Sequence, residues 1–149
     1  EEGLELLDFA LAGVHSAHQQ DKDKMTARIL KALENPFIKV LTHPTGRLLN
    51  ERESFEADWQ MIFEFAAKNK KAMEINAFPN RLDLPDTLVR EAKKFGVKFV
   101  IDTDSHQKDQ MENMRFGVAV ARRGWTTKKD VVNTWDWTNF AKWFSIKEK

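Results

Sequence analysis

Four short apolar runs punctuate the chain, at residues 7–15, 38–43, 71–77 and 97–102, and each is followed by a segment of helical periodicity. Strand and helix alternating in this way admit few arrangements. Parallel strands lie side by side, and the helices that connect them pack outside the sheet. "IKVLTH" (38–43) is β-branched and apolar, while "KAMEINA" (71–77) sets Met73, Ile75 and Ala77 on one face. "VKFVID" (97–102) is the clearest strand, and "LDFALAGVH" (7–15) mixes alternation with small residues. Helices are predicted over 24–34, 53–69, 86–95, 109–123 and 137–145. Their faces are built from Met25, Ile29 and Leu33; Phe55, Trp59, Ile62 and Phe63; Leu88, Val89 and Ala92; Met111, Met114, Val118 and Ala121; and Trp137, Phe140 and Phe144. All of these stripes are assigned to the core. Thr127 with Asp130 three residues on predicts a capped start to one more short helix. No linker, repeat or low-complexity tract divides the 149 residues, so 1–149 read as one α/β domain.

The strands end in chemistry. Three of the four histidines, His15, His43 and His106, stand where a predicted strand gives way to a loop. In parallel α/β folds that edge gathers sites, because the loops converge there. "FVIDTDSH" (99–106) runs from β-branched residues straight into Asp102, Asp104 and His106. If the chain stays extended, Asp104 and His106 point to the same side, as a metal site or a catalytic dyad would need. His18, in the polar stretch "AHQQDKDK", is expected to be a solvated loop residue. Asp102 is placed behind the ligands as an orienting group or turn cap, and Glu74, out of character in a strand, as a supporting or ion-paired carboxyl. Asn76, Arg47 in "HPTGR" and Arg81 in "PNRLDLP" leave the same edge and are candidates to bind phosphate. Either arginine could equally anchor its loop to a nearby acid.

Composition excludes several classes. There is no cysteine, so any metal must be held by His, Asp or Glu, which suits zinc, manganese or iron. With 24 basic and 23 acidic residues the net charge is +1, and this is no electrostatic footprint for duplex nucleic acid. The short basic runs, "KNKK" (68–71) among them, are expected to be solvated. No apolar run approaches the roughly 18 residues of a membrane span, and no signal peptide is evident, so the default setting is cytoplasmic. No glycine-rich phosphate loop and no G-x-S-x-G elbow occurs. Metal-assisted hydrolysis is the chemistry left standing. The opening "EEGLELLDFALAGVHS" reads as a piece of a longer chain.

Taken in order, "VHS" (14–16), "THPTGRLL" (42–49), "EINAFPNRLDLPD" (74–86), "DTDSH" (102–106) and "FGVAVARRGW" (116–125) resemble the C-terminal part of the polymerase-and-histidinol-phosphatase (PHP) domain. More closely, they are similar to the version fused to bacterial and archaeal family X DNA polymerases. The resemblance implies a distorted, TIM-like barrel of seven β/α units with up to three divalent metal ions at its C-terminal rim. It puts His15, His43, Asp104 and His106 on ligand positions, with Asp104 and His106 at the catalytic centre. The implied activity is 3′–5′ exonuclease or 3′-end processing of DNA in repair. The family's early His-x-His has no counterpart, since no histidine precedes position 15. The chain is therefore expected to supply about four of the seven units, to hold one metal ion or none, and to be weak or inactive alone. Its expected partners are DNA ends, the N-terminal half of the barrel, a polymerase region, and a second copy joined through unpaired strand edges. Two other readings stay open: a non-catalytic DNA scaffold, and a histidinol-phosphate-type small-molecule phosphatase.

Overall fold

Each predicted strand forms, and each pairs with its neighbour in sequence. The computed structural model describes residues 3–146. Its elements are β1 (Ala10–Ala12), α1 (Lys22–Glu34), β2 (Ile38–Leu41), α2 (Trp59–Lys68), β3 (Ala72–Asn76), α3 (Asp86–Lys94), β4 (Lys98–Asp102), α4 (Met114–Arg123) and α5 (Trp137–Phe144). The sheet is parallel throughout, in the order β1-β2-β3-β4. That is the strand order of successive units in a β/α barrel, and the chain is α/β as the sequence predicts.

Side-chain alternation gives the sheet two unlike faces. The outer face, with Leu41, Met73, Ile75, Phe99 and Ile101, packs on the buried stripes of the crossover helices: Met25, Ile29 and Leu33 of α1, Ile62, Phe63 and Ala66 of α2, Val89 and Ala92 of α3. The Asp21 carboxylate caps α1, accepting from the Lys24 N–H, and Asp58 caps α2, accepting from the Met61 N–H. The inner face is apolar at its base, where Val40, Ala72 and Val100 meet Phe140 and Phe144 of α5. Two residues further along each strand the same face becomes Thr42, Glu74 and Asp102, so it turns polar towards the C-terminal rim.

Four expectations are corrected here. The helix predicted from residue 53 begins at Trp59; Phe55 reaches the core from an irregular segment, its ring 6.2 Å from that of Trp59. Thr127 caps nothing. Instead its N–H and hydroxyl both donate to the Asp130 carboxylate, and the resulting turn lays Val131 beside Phe99 of β4. The adjacent Asn133 side chain stands in for a strand, accepting from the Ile101 N–H and donating to the Ile101 carbonyl, so this edge of the sheet is covered. Trp137 is 65% exposed rather than core. Lys71 is not a solvated charge: it is buried and donates to the carbonyls of Asn35 and Ile38. The opposite edge, β1, pairs only with β2 among the described residues.

Three of the four residues expected to bury α4 also face the wrong way, while the fourth, Ala121, is buried as expected. Met111, Met114 and Val118 are exposed, and the helix meets the sheet through Gly117 and Ala121. Close approach is the reason. A Cβ at Gly117 would stand 2.6 Å from Ile101 Cγ2 and 2.8 Å from the Ala77 Cβ. In an open helix Gly→Ala stabilises by up to about 1 kcal/mol. Here overpacking reverses the sign, and Gly117→Ala is expected to destabilise by about 1–3 kcal/mol in denaturant unfolding, with Val118→Ala close to neutral. A stabilised Gly117→Ala protein would show that α4 does not sit on the sheet as described.

Candidate active site

The rim is assembled by the two loops that follow β2 and β3. Each is locked to the other. Asp83 is fully buried and its carboxylate accepts from the Thr45 N–H at 3.0 Å and the Thr45 hydroxyl at 2.9 Å. Burial pushes the Asp83 carboxyl up to about 6, against the pull of Thr45 and Arg47. In return Arg47 donates to the carbonyls of Arg81 (2.8 Å) and Leu82. The "HPTGR" and "RLDLP" stretches therefore form one rigid clamp. Arg47, a sequence candidate for phosphate, is engaged in holding it.

His43 sits at the centre of the rim, 6% exposed. Its N–H donates to the Glu74 carboxylate, which also accepts from the Thr42 hydroxyl at 2.9 Å. Gly13 leaves room for the ring: a Cβ there would fall 2.5 Å from His43 Cε1. The His15 ring stands perpendicular to it with centroids 4.8 Å apart. Burial, then the charges of Arg81 and His15, lowers the His43 imidazole to about 4. It is thus neutral near pH 7, the form that binds metals, and its Nδ1 is buried with no hydrogen-bond partner.

Asp104 and His106 do not leave the strand side by side. The strand ends at Asp102, and Asp104 adopts a left-handed backbone with φ 49°, so the extended-chain argument lapses two residues too early. The Asp104 carboxylate accepts from Arg81 Nε at 3.2 Å and Asn76 Nδ2 at 3.3 Å. His106 is exposed, with Nδ1 2.8 Å from the Asp104 carbonyl oxygen and its N–H donating to Gln110. Among the described residues, no three His, Asp or Glu side chains are gathered where one ion could reach them all. The donor types, neutral imidazole and carboxylate without thiol, fit a divalent transition ion; as placed, His15 and His43 are the pair that approach.

Behind the rim lies a carboxyl pair. Glu74 and Asp102 are neighbours across β3 and β4, and both are pushed upward, Glu74 to about 9, first by burial and then, for Glu74, by the Asp102 charge. Glu74 is thus held protonated near neutral pH. Asn76, expected to face substrate, is fully buried; its amide donates to Glu74 and Asp104 and accepts from the Phe78 N–H. It positions Asp104. Arg81 does face the rim, with its Nη1 buried and unpartnered.

His18 lies in the loop after β1 as expected, but it is only partly solvated. Its ring stacks over Phe55 at an interplanar angle of 20°, its Nδ1 is buried, and it lines a cleft of about 530 Å³ beside the rim. The His-x-x-His spacing of residues 15–18 was its one signal in the sequence. Gly13, Thr45 and Asp83 gave none.

Comparison with models of known protein families finds no match. Among curated proteins, the DNA polymerase/3′-5′ exonuclease PolX of Bacillus subtilis (strain 168) is 39% identical over 127 residues, which is 85% of this chain and 22% of that protein. A "Probable phosphatase" of Acetivibrio thermocellus is 31% identical over 113 residues, 71% of this chain and 44% of the relative. Another, from Thermoanaerobacter sp. (strain X514), is 23% identical over 140 residues, 88% of this chain and 55% of its own length. The chain thus spans about a quarter to a half of the relatives it matches. The similarity along most of its length, joined to the parallel β/α sheet and its motif-bearing rim, shows that the chain belongs to the PHP family, in the version carried by family X DNA polymerases.

Proposed function

We propose that the chain is the C-terminal portion of a PHP domain and forms one side of a metal-dependent phosphoesterase site that processes DNA 3′ ends. The observation that carries this reading is the neutral, buried His43 with an unpartnered nitrogen, 4.8 Å from the His15 ring on the next strand exit. His15, His43, Asp104 and His106 would hold the metal, which when bound supplies Lewis acidity and a water of lowered pKa. Zinc, manganese and iron all suit this donor set. The chain's own residues do the rest. Arg81 Nη1, which has no protein partner, would donate to a phosphate oxygen, Asn76 and Arg81 hold the Asp104 carboxylate, and Glu74 fixes the turn that carries His43.

The remaining strands of the barrel, the polymerase region and a cytoplasmic setting belong to the same proposal. So does pairing of the β1 edge with those strands or with a second copy. The relatives described as phosphatases support phosphoester hydrolysis as a class and favour, as a second reading, a small phosphorylated substrate.

Titration with zinc or manganese, after chelator removal, tests the site. About one equivalent is expected to bind, and His43→Ala or the pair Asp104→Ala, His106→Ala should weaken binding at least about tenfold, since even outer partners of a ligand are worth that much. Binding unchanged in both variants would overturn the assignment.

A further inference from the structure

We infer that the cleft between the loop after β1 and the segment before α2 is a second phosphate subsite, in which Arg52 and His18 take the phosphate next to the one hydrolysed. This rests on the phosphoesterase reading and names its substrate class: a polynucleotide, which carries phosphates in series.

The cleft, about 530 Å³, is lined by His18, Gln19, Arg52, Glu53, Ser54 and Phe55. Arg52 is fixed at its base. Its backbone pairs with Leu48 in a tight antiparallel bridge, and its Nε donates to the Gly46 carbonyl at 2.8 Å. Among the described residues its terminal nitrogens have no hydrogen-bond partner and no carboxylate in ion-pair range. A guanidinium anchored at one edge and open at the other is pre-organised for a phosphate. Glu53 opposes an anion here, but it is exposed and therefore screened.

His18 forms the facing wall. Phe55 supports the ring from below, and Nδ1 lies in the space left by Gly46, 3.3 Å from where a Cβ would be. With Nδ1 buried and without a partner, Nε2 is the nitrogen assigned to meet the ligand. Burial and the charges of Arg52, Arg28, His15 and Arg81 all disfavour the protonated ring, so the local field is positive without it. An anion relieves that field. Both walls also lead directly to the rim: His15 precedes His18 by one short loop, and His43 precedes Gly46 by another. Ser54 ties the cleft to the clamp, its hydroxyl donating to Thr45 Oγ1 at 3.1 Å. A substrate with a single phosphate can use the rim alone. One with two can use both.

The test is nucleotide binding to the metal-free chain, followed by the ¹⁵N resonances of His18. Thymidine 3′,5′-bisphosphate is expected to bind at least tenfold more tightly than thymidine 3′-monophosphate and to shift the His18 Nε2 resonance. Arg52→Gln and His18→Gln should each abolish that preference, while Lys68→Gln, an exposed charge on α2, keeps it. Equal affinity for the two nucleotides, or a preference that survives in both wall variants, would overturn the subsite. Because no metal is present, the result is independent of the metal titration: a lost metal site with an intact preference would sink the phosphoesterase reading and leave the subsite standing.

Discussion

Glu74→Gln is expected to remove a fall in stability that the wild-type chain shows between about pH 6.5 and 9. The sign follows from where the protons are. An unfolded glutamate titrates near 4.5, whereas burial, and then the Asp102 charge, raises the native Glu74 to about 9. Within that window the native state holds a proton that the unfolded state has released, so stability drops as pH rises. One proton corresponds to about 1.4 kcal/mol per pH unit at the steepest. His43 acts in the opposite sense and lower down. Its native value of about 4 against an ordinary 6.5 gives a contribution fully present above pH 6.5 and lost as pH falls through 4. Above 6.5 His43 contributes no slope, and the fall expected there is the one set by Glu74. Glutamine keeps one oxygen to accept from the His43 N–H and can turn its amide N–H to the Thr42 hydroxyl oxygen, has no proton to lose, and takes the Glu74 charge away from Asp102. Urea midpoints measured from pH 6 to 9 with chelator should therefore slope downward in wild type and lie nearly flat in the variant. Parallel curves would mean that Glu74 is ionised throughout, and its protonated form near neutral pH would have to be abandoned.

The parts of this molecule that could be read from sequence are those set by short-range period. Strand alternation set which residues of β3 face outward, Met73 and Ile75, and the β/α order predicted a parallel sheet. The placing of His15, His43 and Asp104 at one rim followed from that order alone. What escaped depends on approach distances and on single backbone angles. The apolar periodicity of α4 selected Met111, Met114 and Val118, yet the sheet accepts only the face where Gly117 lets two backbones close. Asp104 and His106 lost their common direction because one left-handed residue interrupts the alternation. Arg47 and Asn76 look like ligand binders in one dimension; their donors are in fact taken up by the carbonyls of Arg81 and Leu82 and by the carboxylates of Glu74 and Asp104. His18 was set aside because its neighbours are polar, and the Phe55 that supports it lies in a stretch that reads as helix.

Phe144→Ala and Trp137→Ala, two aromatic truncations on one helix, should differ by several kcal/mol. The sequence assigns both side chains to the core, but Phe144 is 1% exposed and Trp137 is 65% exposed. The Phe144 ring is stacked 4.4 Å from Phe9 and lies 4.6 Å from Phe140, over Val40 and Ala72 at the base of the inner sheet face. Removing it should cost about 3–5 kcal/mol, the usual range for Phe→Ala in a core, and lower the thermal midpoint by roughly 10 °C in a chain of this size. Trp137→Ala should stay within about 0.5 kcal/mol. Equal, small losses would mean that α5 is not docked. The expected contrast places an apolar seal at the foot of a face whose upper layer is Thr42, Glu74, Asn76 and Asp102. Above that seal Glu74 and Asn76 are themselves buried, so the groups left to meet further chain, metal or substrate are those of the rim. The seal also explains why a sheet with two apolar faces at its base can bury both within these residues while its chemistry stays at the rim.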